Sequence, residues 1–195
     1  VANGAIYAGG EFTAIRPPGG TGGDIPRAYL AAFDAGSGDP VAGFDHTLDG
    51  PVHAITPSPD GQRIFVGGQF DTVDGVSRPR LAAFWTATGE LDADWRPRTN
   101  GIVTAIEVVG DRVFVGGSLG TVNNQPRSKV AAVNATTGAV LDWVADANSG
   151  ANVNALEASP DGSVIFLGGD FATINGSGPR AIQALDPSTA DQFPM

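Results

Sequence analysis

Two carboxylates, Glu107 and Glu157, hold equivalent places about fifty residues apart, each immediately after a Val-x-Ala-[Ile/Leu] run that begins at Val103 or Val153. A carboxylate pair facing a common channel can polarise water or take up a cation. The corresponding place after Val52-His53-Ala54-Ile55 is Thr56, so the series of acids is interrupted. Equivalent acids on neighbouring units are also what a solvated channel lining requires, and Glu107 and Glu157 are read as channel-lining candidates with no catalytic residue assigned.

Basic residues recur more regularly. Pro26-Arg27, Pro79-Arg80, Pro126-Arg127 and Pro179-Arg180 repeat along the chain, and Arg16, Arg78 and Lys129 fall in the same loops. The chain as a whole carries a formal net charge of -10, so this concentration of cations is set against its surroundings. It suits a face for an anion or an acidic glycan, with Arg27, Arg78, Arg80, Arg127, Lys129 and Arg180 as ligand-binding candidates. The competing reading is a scaffold role, since an Arg fork can tie a loop to backbone carbonyls or to a neighbouring Asp in every unit.

Other chemistry is scarce. His46 and His53 are separated by a turn at a spacing that matches no standard metal-ligand pattern, and surface or rim placement is expected for both. The absence of cysteine removes disulfides, thiolate metal sites and a cysteine nucleophile. The insert Arg16-Pro17-Pro18-Gly19-Gly20-Thr21-Gly22-Gly23-Asp24-Ile25 is rich in glycine, but no Lys-Ser or Lys-Thr follows it. It reads as a surface loop, and no cofactor or metal is assigned. Asn134-Ala135-Thr136 and Asn175-Gly176-Ser177 are glycosylation-type triplets that arise easily by chance.

Composition bounds the partners. Among 195 residues there are 21 acidic and 11 basic groups, seventeen of the acids being Asp and ten of the bases Arg. Such a balance repels polyphosphate and anionic lipid, so nucleic acid is not an expected partner. No apolar run approaches the roughly 20 residues that cross a bilayer, so membrane insertion is not expected. The chain opens on Val1 in mid-pattern without a charged-then-apolar leader, which reads as a processed N-terminus or part of a longer protein.

These residues must be positioned by an internal repeat. Tyr7-Ala8-Gly9-Gly10, Phe65-Val66-Gly67-Gly68, Phe114-Val115-Gly116-Gly117 and Phe166-Leu167-Gly168-Gly169 recur at intervals of about fifty residues. Three of them follow a Val-x-Ala-[Ile/Leu] run. Leu30-Ala31-Ala32-Phe33, Leu81-Ala82-Ala83-Phe84, Val130-Ala131-Ala132-Val133 and Ile182-Gln183-Ala184-Leu185 come next, then a turn, then an aromatic at Phe44, Trp95, Trp143 or Phe193. Ser58-Pro59-Asp60-Gly61, Ser159-Pro160-Asp161-Gly162 and the tighter Gly110-Asp111 supply the first turn of their units. Asp34, Asn134 and Asp186 are placed to fold their side chains onto the backbone of the last turn. Four short apolar runs in each unit, with 28 Gly and 14 Pro between them, describe an all-β β-propeller of about four blades of four antiparallel strands. The units run over residues 1–50, 51–101, 102–150 and 151–195 of a single repeat array. The first lacks its Val-x-Ala-[Ile/Leu] strand and an open sheet edge invites pairing, so a partial ring, or part of a larger propeller, is expected. Trp85 stands where other units have Asp or Asn, and Ala190 replaces the turn glycine.

The succession Val-x-Ala-[Ile/Leu], Ser-Pro-Asp-Gly, Phe-Val-Gly-Gly-x-Phe, Pro-Arg, Leu-Ala-Ala-Phe, Thr-Gly and Trp resembles the delta-60 repeat β-propeller family of secreted and surface-attached bacterial proteins. Its Ala-Ala, Thr-Gly and Trp portion is also similar to the docking motif of quinoprotein propellers, whose aromatic wedges between blades. The resemblance implies an extracellular or cell-surface scaffold or binding module whose partners are a protein or glycan ligand, or further blades or domains of the same protein. The alternative it leaves open is the propeller portion of a secreted enzyme, a glycan hydrolase, a lyase or a quinoprotein-like protein, with its site over the central channel.

Overall fold

The computed structural model describes residues 1–20, 23–147, 152–178 and 181–194. Its secondary structure is almost entirely antiparallel strand, and no helix among the described residues is long and apolar enough to cross a membrane. The first repeat folds as β1 (Ala5–Gly9), β2 (Ala14–Ile15), β3 (Ile25–Pro26) and β4 (Leu30–Asp34). The second comprises β5 (Val52–Pro57), β6 (Arg63–Gly68), β7 (Thr72–Val73), β8 (Val76–Ser77) and β9 (Leu81–Trp85). The third comprises β10 (Val103–Val109), β11 (Arg112–Gly117), β12 (Thr121–Val122), β13 (Gln125–Pro126) and β14 (Val130–Asn134). The fourth comprises β15 (Val153–Ala158), β16 (Ile165–Gly169) and β17 (Ile182–Leu185).

Four main sheets result. The first pairs β1 with β4; the others have the orders β5-β6-β9, β10-β11-β14 and β15-β16-β17. The segments between their middle and outer strands form small ribbons, β2-β3, β7-β8 and β12-β13. In the latter two, Asp74-Gly75 and Asn123-Asn124 are two-residue turns with positive φ at both positions, the geometry of a type I′ hairpin. The expected fourth strand is cut to one bridge in each repeat: Phe33 with Pro40, Phe84 with Leu91, Val133 with Val140 and Leu185 with Gln192. The physical reason lies a few residues further on, where the chain leaves the ladder to carry Phe44, Trp95 or Trp143 into the interior.

Successive sheets pack face on face. Phe65, Leu81, Ala83 and Trp95 of the second meet Val103, Ile106, Val113 and Val115 of the third in one buried cluster. Phe114, Val130, Ala132 and Trp143 of the third meet Val153, Leu156, Ile165 and Leu167 of the fourth in another. Leu30, Ala32 and Phe44 meet Val52, Ile64 and Val66 in the same way. Strands apolar on both faces, such as Ile64-Phe65-Val66, are thereby explained. The first glycine of each pair opens a hole in this packing. A β-carbon on Gly67 would lie 2.5 Å from Val103 Cγ1, and one on Gly116 would lie 2.7 Å from Val153 Cγ1. Hydroxyls tie the same junctions: Thr56 Oγ1 donates to the Ile106 carbonyl and Thr104 Oγ1 to the Val153 carbonyl, both at 2.7 Å.

Candidate functional site

The inner strands β5, β10 and β15 run toward a common open cavity of about 770 Å³, lined by Thr56, Glu107, Ala158 and the turns Ser58-Pro59 and Ser159-Gly162. Glu107 stands opposite Phe114 in the ladder and is half-buried, whereas Glu157 stands opposite Phe166 and is exposed. Burial, and then the negative charge of Glu157, push the Glu107 carboxyl above the ordinary range. Glu107 is therefore a carboxyl whose protonated form the fold favours. At the mouth, Ser58 and Ser159 each donate a 2.6 Å hydrogen bond to Asp60 and Asp161. Those bonds, with backbone N–H donors two residues on, hold both aspartates below the usual range, Asp161 down to about 2. The cavity thus combines a half-buried acid with an anionic rim. Among the described residues no group of three His, Asp or Glu gathers to hold a metal ion.

The basic residues lie in the ribbons, and their register differs from the Pro-Arg pattern. The backbone N–H groups of Arg27, Arg78 and Arg127 donate to Thr13, Asp71 and Gly120, and those of Tyr29, Arg80 and Lys129 donate to Phe12, Phe70 and Leu119. The latter three all have φ near 70°. Arg78, not Arg80, is thus the counterpart of Arg27 and Arg127; Pro79-Arg80 matches by sequence but is displaced two residues along the loop.

Arg27, Arg78 and Arg127 each donate to the carbonyl just before them, Pro26, Ser77 or Pro126. Each also reaches the segment after the outer strand. Arg27 pairs with Asp45 at 2.8 Å, Arg78 donates to the Asp92 and Ala93 carbonyls, and Arg127 donates to Leu141 at 2.9 Å. Arg78 is buried, and this desolvation, followed by the Arg96 charge, draws its pKa down. Arg80 ties Phe70 to Asp71. Lys129 makes fewer contacts than these: its Nζ has one long 3.4 Å contact with the Ser118 carbonyl and, like Arg78 and Arg127, takes part in no ion pair among the described residues. Lys129, Arg127, Ser128 and Asp146 line an open cleft of about 510 Å³ beside Leu119. Arg180 lies outside the described residues.

The His46 side chain is largely covered, at 11% exposure, rather than free at the surface. Its Nδ1 lies 2.6 Å from Asp74 Oδ2 and its Nε2 lies 2.6 Å from the Gly89 carbonyl, with the ring against Phe44 and Phe84. Both nitrogens are engaged in joining the linker after Phe44 to the second repeat. His53 is exposed on β5. The two glycosylation-type triplets also have internal roles: Asn134 Oδ1 accepts from the Thr136 and Thr137 N–H groups, and Asn175 Oδ1 accepts from Asp146.

Several structural polar residues carry no obvious signal in sequence. Asp49 Oδ1 accepts from the N–H groups of Asp71 and Thr72, and Asn100 Oδ1 accepts from Gly120 and Thr121, so each anchors the ribbon entrance of the repeat that follows its own. Their recurrence about fifty residues apart was the one available sign, obscured by the change from Asp to Asn.

A family model described as the Rax2 C-terminal beta propeller domain matches residues 40–170. No curated protein matches the chain.

Proposed function

Because the chain belongs to the Rax2 C-terminal beta propeller domain family, we propose that this all-β propeller is a non-catalytic extracellular or cell-surface module that presents its ribbon loops to a protein or acidic-glycan ligand. In this reading residues 1–195 form a single array of about four blades of the delta-60 repeat type. The observation that carries it is the contrast between cations. Arg27, Arg78 and Arg80 are bonded to loop backbone or to Asp, whereas Lys129 has one long contact and lines a cleft with Arg127 on a chain of net charge -10. A cation without a carboxylate partner in a concave site suits a carboxylate or sulfate group.

Calorimetric titration with carboxylated, sulfated and neutral oligosaccharides tests this. Binding confined to the acidic ones, weakened about tenfold by Lys129→Met and restored by Lys129→Arg, is the expected outcome. Equal binding of neutral sugars, or no binding, would overturn the acidic-glycan assignment. The second reading, an enzyme acting over the central cavity, is favoured by the raised Glu107 carboxyl beside Glu157. It requires glycan turnover that Glu107→Gln abolishes.

A further inference from the structure

The turns that follow β4, β9, β14 and β17 share one main-chain geometry. In each, the N–H of Gly38, Gly89, Gly138 or Ala190 donates to the carbonyl four residues earlier at 2.8 or 2.9 Å, and that donor residue has φ between 66° and 78°. Three of the turns carry their own cap. Oδ1 of Asp34, Asn134 or Asp186 accepts from the N–H groups two and three residues on. The turn after β9 begins instead at Trp85, whose indole offers no acceptor, so the equivalent N–H groups of Ala87 and Thr88 donate to nothing among the described residues.

A second departure from the repeat borders the same turn. Trp95 and Trp143 each donate an indole N–H to the carbonyl that opens the following turn, Asn134 or Asp186. At the first junction this place is held by Phe44, which has no donor for the Trp85 carbonyl. Both departures meet on one cavity of about 310 Å³, whose wall includes Tyr7, Asp34, Phe44, Ala87 and Thr88. Tyr7 packs edge-on against Phe44 with ring centroids 5.2 Å apart, and its hydroxyl has no hydrogen-bond partner among the described residues. Asp34 commits Oδ1 to its own turn and leaves Oδ2 unbonded.

The wall thus joins two aromatic rings, two uncapped amide donors and a carboxylate oxygen. Paired N–H groups call for an acyl oxygen, aromatic rings for the C–H face of a sugar, and a carboxylate for sugar hydroxyls. Asn134 shows that a neutral amide oxygen caps this turn as a carboxylate does, and the charge of Asp34 disfavours a second anion. We propose that the cavity binds an N-acetylhexosamine, whose acetamido oxygen accepts from Ala87 and Thr88 while its ring rests on Tyr7 and Phe44. An asparagine from a protein partner would bring the oxygen but neither a face for the two rings nor hydroxyls for Asp34. The cavity shares no residue with the Lys129 cleft. The neutral comparison for that cleft is accordingly a sugar without acetamido groups.

The full chain, labelled with nitrogen-15, is titrated by NMR with methyl N-acetyl-β-glucosaminide and with methyl β-glucoside. The expected result is saturable shifts of the Ala87 and Thr88 amide signals at a Kd of about 1 mM for the acetylated sugar, and at least about tenfold weaker binding of the glucoside. Trp85→Asp supplies the missing cap from within, and Phe44→Trp fills the cavity from its other wall with the residue found at the later junctions. Each should weaken binding at least about tenfold, and Lys129→Met should leave it unchanged. No binding, shifts that spare Ala87 and Thr88, equal affinity for the glucoside, or undiminished binding by a folded Trp85→Asp or Phe44→Trp chain would each overturn the proposal. Loss of binding with Lys129→Met would assign the sugar to the other cleft and overturn it. Acetyl-asparagine methylamide binding the same two amides as tightly as the sugar would assign the turn to a protein partner and overturn it likewise.

Discussion

Trp95 reaches across a sheet junction to bond the main chain of Asn134: its indole Nε1 donates to that carbonyl at 3.1 Å while the ring packs against Phe65. Trp143 repeats the contact one junction later, donating to the Asp186 carbonyl at 2.9 Å against Phe114. Each indole therefore closes the interior of one sheet and fixes the turn of the next. Replacement by Phe keeps most of the burial and leaves a carbonyl without its donor, which should cost about 1 kcal/mol. Replacement by Ala should cost about 3–5 kcal/mol through the cavity it opens. Urea denaturation of Trp95→Phe, Trp143→Phe and the two Ala variants checks both values, and a Phe variant as damaging as Ala would refute the separation.

Ala190 occupies a position that favours glycine. Its φ is 66°, close to Gly38, Gly89 and Gly138 at the equivalent turns, and its N–H donates to the Asp186 carbonyl as Gly138 does to Asn134. An alanine in the left-handed region carries a steric cost of about 1–2 kcal/mol. Ala190→Gly is expected to stabilise the chain by about 0.5–1 kcal/mol, after the larger backbone freedom of glycine in the unfolded state is offset. The check is the denaturation midpoint at constant slope; a lower midpoint would show that the alanine methyl contributes more by packing than it costs by strain.

Asp161 should govern part of the acid limb. Side-chain and backbone hydrogen bonds from Ser159 and Ser163 lower its carboxyl from 3.8 to about 2. A depressed carboxylate stabilises the fold above its unfolded pKa, and that contribution is lost as pH falls from about 4 through about 2. Asp161→Asn should flatten the stability profile in that window and leave its shape near neutrality unchanged. A carboxyl titration by NMR with its midpoint in the ordinary range would contradict this.

Glu107 behaves in the opposite sense. Its raised pKa means that the protonated form is favoured by folding, a contribution complete below the ordinary carboxyl range and lost as pH rises through the folded midpoint. Glu157→Gln should move the Glu107 titration partway down, because burial, the larger cause, remains. A midpoint that does not move would mean that the two carboxyl groups do not sense one another's charge.

The repeat was legible because each sheet must bury both faces against its neighbours, which leaves strong signals such as Phe-Val-Gly-Gly and Leu-Ala-Ala-Phe in the sequence. The turn role of Asp34, Asn134 and Asp186 was legible for a similar local reason: each side-chain oxygen accepts from the N–H groups two and three residues on. Loops were read less well. Pro79-Arg80 resembles Pro26-Arg27, yet the hydrogen-bond register that identifies Arg78 as the counterpart depends on pairing with residues near Asp71, distant from the motif itself. The contacts of His46 leave no local signal because its partners, Asp74 and Gly89, belong to two different turns of the following repeat. The shortened fourth strand escaped notice because apolar character does not distinguish a residue in a ladder from one leaving it to bury a Trp.

The glycine holes receive side chains in one direction only, from the later sheet into the earlier. Every junction therefore has the same polarity, and whole repeats can be duplicated or deleted by recombination while the surviving contacts keep their complementarity. Such a chain can change length over evolutionary time without redesigning its interior.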